Sequence, residues 1–471
     1  MRAARLFSTA SAVVLTLAVA GCNMAPDYAP PKVAVPAAYK EMGPWSPASP
    51  ADDAPRGAWW EVFNDPTLNG FETQIETQSP RLAAAIARYD QARGLSDQAR
   101  SSLFPSLDLE GSGERDRLSA HRPLQSKPAV YNDYAAGLST SYELDVWGRV
   151  RNLVSQGKAD EEASAADLAS VRLSLQAELA DNYLRLRGLD AEEALLLDTV
   201  DAYTRALKLA NTRHSDGASS AIDVGRAETQ LASTKAQLVD IGADRALLEH
   251  AIAVLVGEPA STFSIKPEMR KFVSPVVPVS APSVLLQRRP DIAAAERRTA
   301  AANAGIGVQK AAFFPSITLG LSGGFESVGA GLLTAPSAFW ALGPAEALLS
   351  VFDGGEREGK LAVAKGEFDE ASANYRQTVL DGFREVEDQM ALSNRLADEA
   401  KHQDDAVKAA ARTNKLAFVR YREGAADYLE VVTAQTAELQ AEVSALTVQT
   451  RRQQATVALI KALGGGWTRK S

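Results

Sequence analysis

Cysteine is almost absent from this 471-residue chain: Cys22 is the only one, so no internal disulfide can staple the fold and packing alone must hold it. Histidine is scarce too. The four residues (His121, His214, His250, His402) are scattered and supply neither a His-x-x-x-His pair nor a Cys/His ligand set, which removes the usual zinc chemistry. There is no Gly-x-x-x-x-Gly-Lys loop to cradle phosphate. The Gly-x-Gly at Gly305 and Gly307 lacks its third glycine and reads as helix packing. Positive charge is in deficit, 50 Lys and Arg against 59 Asp and Glu, so no nucleic-acid partner is expected. Five methionines give no sign of a soft-metal relay. No apolar run is long and clean enough for a membrane helix; the nearest, 331–351, is interrupted by Pro336, Gly343, Pro344 and Glu346. Carboxylates are plentiful but spread over helical surface positions, and enzyme chemistry finds no foothold.

The N-terminus, by contrast, is informative. Arg2 and Arg5 precede a short apolar core, Ala12 to Ala20, closed by Val19-Ala20-Gly21-Cys22. Residues 1–21 read as a secretory signal peptide of the bacterial lipoprotein kind, cleaved before the sole cysteine. The expected modification is a covalent diacylglycerol and an N-acyl lipid on Cys22, with no other cofactor. Asn23 in place of an aspartate after that cysteine favours export to the outer membrane. Residues 22–58 are rich in Pro and Ala and read as an extended lipid-anchored tether.

Beyond it the chain is written twice. Ser79-Pro80-Arg81-Leu82 matches Arg289-Pro290-Asp291-Ile292, and Phe104-Pro105-Ser106-Leu107 matches Phe314-Pro315-Ser316-Ile317, at one offset (314 − 104 = 210). Asp145 and Arg149 match Asp353 and Arg357; Gly217, Val224 and Gly257 match Gly424, Val431 and Gly464. Landmarks kept in order across half the chain mark a tandem duplication. The expected divisions are a first repeat over 59–260, a linker over 261–285, a second repeat over 286–464 and a tail over 465–471.

Each repeat has the same grammar. A helix of roughly twenty residues ends at a Phe-Pro pair, because proline cannot continue the helical bonding. Two extended segments follow, and then long helices within proline-free stretches, 129–258 and 345–471. Leu168, Val171, Leu175, Leu179 and Tyr183 recur at helical spacing, as do Leu380, Phe383, Val386 and Met390. A helix from Val150 to Asn211 would be on the order of 90 Å long, which requires helical neighbours along its length.

The extended segments alternate. Tyr134, Ala136, Leu138, Thr140, Tyr142 and Leu144 share one face, with Gly137, Ser139, Ser141 and Glu143 on the other. Leu107 and Leu109 alternate with Asp108 and Glu110, and Ile317, Leu319 and Leu321 alternate with Thr318, Gly320 and Ser322. This is the pattern of a transmembrane barrel strand, although a soluble sheet with one wet face would alternate alike. The fourth strand falls within 331–351 and has the least clean alternation. Four strands cannot close a membrane barrel, so if they span the membrane the barrel is shared between copies.

The motifs Trp59-Trp60-Glu61-Val62-Phe63-Asn64-Asp65-Pro66, Arg288-Arg289-Pro290-Asp291-Ile292, Phe313-Phe314-Pro315-Ser316, Phe352-Asp353-Gly354-Gly355 and Tyr421-Arg422-Glu423-Gly424 stand in order across the duplicated frame. In these the chain resembles the TolC/OprM-type outer-membrane factor family, in its lipoprotein branch serving resistance-nodulation-division (RND) efflux pumps, from Cys22 to the C-terminus. The resemblance implies an α+β membrane protein, a tandem-duplicated protomer giving four β-strands to a trimeric 12-stranded outer-membrane barrel and long α-helices to a periplasmic helical tunnel. It implies a homotrimer in outer-membrane lipid, a periplasmic membrane-fusion adaptor and an inner-membrane RND pump. A type I secretion duct and, in a different class, a periplasmic adaptor or structural lipoprotein are the alternatives.

Each long helical stretch needs a reversal, and Gly217 and Gly424 mark the two. With Ser219 and Ala425 they form the expected adaptor-contact tip, although any αα-turn would use the same glycines. Asp223 and Glu430 occupy equivalent places just beyond. By the resemblance Glu430 lines a closed tunnel end, and three copies in one ring would repel each other and attract cations. A solvated helix carboxylate is the plainer reading. Asp223 and Tyr421, the latter aligned with a tip tyrosine of relatives and matched by His214 in the first repeat, complete the expected periplasmic gate. Thr433 stands where the family often has a second acidic residue, a departure that argues against a double-ring gate.

Overall fold

The computed structural model describes residues 23–41, 57–121, 128–269, 275, 288–332 and 335–465. The signal peptide, Cys22, and parts of the expected tether, linker and tail lie outside the described residues.

A 3-10 turn over Trp59–Phe63 leads into α1 (Pro66–Gln78), where Pro66 takes the first helical position and the Asp65 carboxylate accepts from the amides of Thr67 and Leu68. α2 (Pro80–Ser101) stops ahead of Phe104-Pro105, and the chain turns extended as β1 (Ser106–Leu118) and β2 (Ala129–Leu144). Then come α3 (Arg149–Ser215) and α4 (Ala221–Val256). The second series repeats the first: α5 (Pro290–Ala311), β3 (Ser316–Ser327), β4 (Phe339–Leu342), β5 (Ala345–Leu348), α6 (Glu356–Arg422) and α7 (Tyr428–Ala462). α3 and α6 have 67 residues each, and α4 and α7 have 36 and 35. No described helix is long and apolar enough to cross a membrane.

The chain divides into two compact units. A sheet unit holds the described residues of Met1–Lys32, Tyr89–Ser164 and Ala294–Arg376; a helix unit holds those of Val33–Arg88, Ala165–Ala293 and Gln377–Ser471.

In the sheet unit, all strand pairs are antiparallel, in the order β1-β2-β3-β4, with β5 also on β3. The register puts Leu109 beside Leu138, Gly111 beside Ala136, Ala136 beside Phe325, and Leu144 beside Ile317. One face therefore carries Leu107, Leu109, Leu138, Tyr142, Leu319 and Leu321, as the alternation requires. That face is open: Leu107 is 71% and Leu109 81% exposed. The other face carries every carboxylate of the strands: Asp108, Glu110, Glu114, Asp116, Asp133, Glu143, Glu326 and Glu346. The expected fourth strand is broken. Gly343-Pro344 divides it into β4, paired with Ser322–Phe325, and β5, paired with Ser316–Leu319. Proline cannot donate to the ladder, and the Pro344 carbonyl instead accepts from the Gly320 amide at 2.8 Å. The alternation fails for the same reason: Trp340, Leu342 and Leu348 share the carboxylate face. At the strand bases Trp147 stacks on Phe314 with ring centroids 4.7 Å apart and donates its indole N–H to the Pro315 carbonyl.

In the helix unit, Leu175, Leu179 and Tyr183 line the buried stripe of α3, flanked by half-buried Leu168 and Val171. On α6, Phe383, Val386 and Met390 are buried as expected, but Leu380 is 54% exposed and Val379 takes its place. The stripe that recurs is 379, 383, 386, 390, one residue off the expected start. A buried polar network ties the first repeat together. The Tyr183 hydroxyl donates to the Asp65 carboxylate (2.7 Å) and accepts from Arg187, whose guanidinium also pairs with Asp190 at 2.7 Å. Arg245 of α4 completes the bracket of Asp190, again at 2.7 Å. In the second repeat Arg289 does the same work, pairing with Asp291 and Glu385 and donating to the Ala462 carbonyl. Buried charge survives here because each partner is met on several sides.

The segment 23–41 is extended but docked. Within the sheet unit the Tyr28 hydroxyl donates to the Glu296 carboxylate and Asn303 to the Pro26 carbonyl. Within the helix unit the amides of Lys40 and Glu41 donate to the two oxygens of Glu387, and Tyr39 is buried.

Two positions generate tests. Glu72 sits between Leu68 and Ile75 on the buried stripe of α1, and neither carboxyl oxygen has a hydrogen-bond partner. Burial, helped by Glu76, pushes its pKa up to about 9. Between 4.5 and that value the folded chain holds one proton more than the unfolded chain. Stability is thus greatest at the acid end of the window and falls by roughly 1.4 kcal/mol per pH unit as pH rises. Denaturant titrations from about pH 5.5 to 8 should show this slope in the wild type and not in Glu72→Leu; equal slopes would mean the carboxyl is ionised after all. Gly464, beyond the end of α7, has φ +87°, and a Cβ there would lie 2.7 Å from the Arg288 carbonyl oxygen. Gly464→Ala should lower stability by more than the ~1–2 kcal/mol of left-handed backbone strain alone, measured by the same titration.

Candidate functional site

Both helix reversals are built alike. After α3, the Ala218 amide donates to the Arg213 carbonyl (2.7 Å) and the Gly217 amide to His214; after α6, Ala425 donates to Arg420 (2.8 Å) and Gly424 to Tyr421. Gly217 and Gly424 have φ of +71° and +76°, and neither has a backbone or core atom that would block a side chain. Their requirement is conformational: this pairing of amides closes a helix end only through a left-handed residue.

The next helix begins at once. Ser220 caps α4 in a capping box with Asp223, each side chain taking the other's backbone amide. Asp223 also lies 3.8 Å from Arg226. Asp427 caps α7 by accepting from the Glu430 amide. Asp223 is therefore held as a helix-start residue, whereas the Glu430 side chain is free of capping and reaches Arg420 across the turn at 2.6 Å. Both ends of that ion pair are well exposed, so it contributes little to stability and leaves the carboxylate open to solvent.

Tyr421 is buried in a cluster with Ala206, Ala210, Ala227, Tyr428 and Val431, its ring edge-on to Tyr428 at 5.2 Å. Its hydroxyl lies near Ser219 without a well-aligned hydrogen bond. Burial, with Tyr421, Tyr203 and Asp223 adding to it, pushes Tyr428 up to about 12, so the pair stays neutral. Arg213 joins the two reversals. Its guanidinium sits 4.9 Å over the Tyr421 ring and donates to the Tyr421 and Arg422 carbonyls, closing the C-terminal end of α6 from the neighbouring hairpin. His214 stays within its own turn, against the Ser219 carbonyl at 3.0 Å. Thr433 is exposed and bonds back to the Leu429 carbonyl.

The expected residues Gly217, Ser219, Asp223, Tyr421, Gly424, Ala425 and Glu430 thus lie on two adjoining turns, the last turn of α6 and the helix starts that follow. Sequence reading passed over Arg213, Arg420, Tyr428 and the two caps. The caps were legible as Ser220-x-x-Asp223 and Asp427-x-x-Glu430, equally placed in the two repeats. The arginines were not, since their partners are on other helices or across a turn.

A family model described as "Outer membrane efflux protein" matches residues 73–258 and again 281–465. The probable efflux pump outer membrane protein TtgC of Pseudomonas putida is 31% identical over 464 residues, covering 98% of this chain and 96% of that protein. Outer membrane protein OprJ of Pseudomonas aeruginosa is 30% identical over 462 residues, covering 97% and 95%. Among solved structures, the outer-membrane channel OprN superposes with a TM-score of 0.89 at 29% identity, over 95% of this chain and 100% of that one. Matched in both halves and end to end, the chain belongs to the outer membrane efflux protein family and is an outer-membrane duct of a tripartite efflux system.

Proposed function

We propose that three copies of the chain assemble into a passive exit channel for small molecules, anchored by acyl chains on Cys22. An inner-membrane RND transporter drives export, and a periplasmic adaptor docks on the Gly217, Ser219, Gly424 and Ala425 tip. The observation that carries this reading is the sheet with two open edges, β1 at one side and the broken β4 and β5 at the other. Open edges cannot face lipid, so the strands must be completed by other copies. Three chains of four strand positions, counting β4 and β5 as one, give a closed ring. The channel itself needs no catalytic group.

The tip acts as the gate. Arg213 clips one hairpin to the end of the other, and Glu430, exposed although paired with Arg420, supplies one carboxylate per copy to a narrow cation-attracting mouth. Asp223 contributes field rather than contact, being held in its capping box.

Photo-crosslinking from Ser219 in living cells should recover an adaptor; recovery of an ABC-type pump instead would keep the duct but change its cargo. In planar bilayers Arg213→Ala should raise conductance several-fold by freeing the end of α6, while Glu430→Gln should lower cation preference with little change in conductance. Unchanged traces in both variants would move the gate elsewhere. Metabolic labelling with palmitate should mark the wild type and not Cys22→Ala.

A further inference from the structure

We infer that the outward sheet face carries a binding site for the phosphate groups of outer-leaflet glycolipid, formed by Arg115 and Arg117 at the outer end of β1. The inference rests on the barrel reading above.

Charge on the sheet is sorted by face. All eight strand carboxylates point one way, whereas Arg115 and Arg117, the only basic residues of the described strands, fall on the other face with Leu107 and Leu109. Both arginines are exposed, and neither side chain makes an ion pair or hydrogen bond among the described residues. Their neighbours Glu114 and Asp116 lie on the opposite face by the period-two geometry of the strand. Directly across on β2 stand Asn132 and Val130. An identical copy joining the β1 edge would bring the Phe339, Ala341, Ala345 and Ala347 face of β4 and β5, which holds no carboxylate. Among the described strands no carboxylate shares this face, so the counter-charge for the pair comes from outside the sheet.

Position along the strand says what that counter-charge is. Eight residues separate Leu107, near the α2 end, from Arg115, about 27 Å along the strand. At a tilt of roughly 35–45° this rises about 19–22 Å, most of the ~25 Å height of an apolar barrel band. The Tyr134 ring packs 3.5 Å from where a Cβ on Gly113 would sit, and Phe325 pairs with Phe339 one step further in. Aromatic residues of this kind mark the membrane interface. The arginines thus stand just beyond the aromatic level, at headgroup depth. Their guanidinium forks, two residues apart on one face, suit bidentate contact to phosphate.

The test uses the full lipoprotein extracted from outer membranes in mild detergent and titrated with bis-phosphorylated lipid A by native mass spectrometry. Arg115→Gln/Arg117→Gln should bind on the order of tenfold more weakly, dephosphorylated lipid A should bind the wild type as weakly, and phosphatidylglycerol should not compete. Equal binding by the variant, equal binding of dephosphorylated lipid A, or full competition by phosphatidylglycerol would each overturn the inference. Should the neutralised variant not reach the membrane, Arg115→Lys/Arg117→Lys keeps the charge and loses the fork; intermediate affinity supports the site and wild-type affinity overturns it. Photolabelling of Leu109 from lipid acyl chains separates the two readings. An unlabelled Leu109 sinks the barrel itself, whereas a labelled Leu109 with unchanged lipid A affinity sinks only the site.

Discussion

A strand edge in lipid leaves amides and carbonyls with nothing to bond, and the rest of the molecule is arranged around that prohibition. One chain supplies a sheet with an intact edge at β1 and a fractured one at β4 and β5. The residues that make up its membrane face are ordinary apolar side chains at alternate positions. What is unusual is the strictness of the charge sorting, with carboxylates on one face and none on the other. A one-residue slip of register would turn four β1 carboxylates into the membrane. Sorting of this kind fixes the register as firmly as the hydrogen bonds do.

The helix unit answers a different problem, that of ending long helices without wasting their carbonyls. The same device closes α3, α4, α6 and α7: a glycine in the left-handed region with a pair of amides folded back on the last turn. Gly257 and Gly464 use it where backbone from Gln78 and Arg288 presses close, so the residue is glycine for space as well as for conformation. Gly217 and Gly424 use it at solvent-facing turns, where only the conformation matters. The duplication has preserved the device while letting the surrounding polar contacts diverge, the Asp65–Tyr183–Arg187 chain in one half and the Arg289 bracket in the other.

Much of this was legible in the sequence. Proline placement bounded the short helices, alternation assigned the strand faces, and the paired glycines located both reversals. The failures have separate causes. Leu380 looked like a stripe residue because periodicity finds a face only to within about one residue, and neighbouring Val379 packs instead. The fourth strand was blurred because Gly343-Pro344 breaks it. Glu72 escaped notice because charge is read as surface, although its spacing from Leu68 and Ile75 placed it inward. At the tip, Arg213 meets α6 only in three dimensions, and no local pattern foretells a side chain that closes another helix.

The docking of residues 23–41 sets an order of events. Tyr28 and the Lys40–Glu41 amides find their partners at Glu296 and Glu387, which belong to the second repeat. The segment that is synthesised first therefore finds these partners only on helices that are synthesised much later. A chain truncated before Glu296 would therefore carry both ends of that segment without these hydrogen bonds.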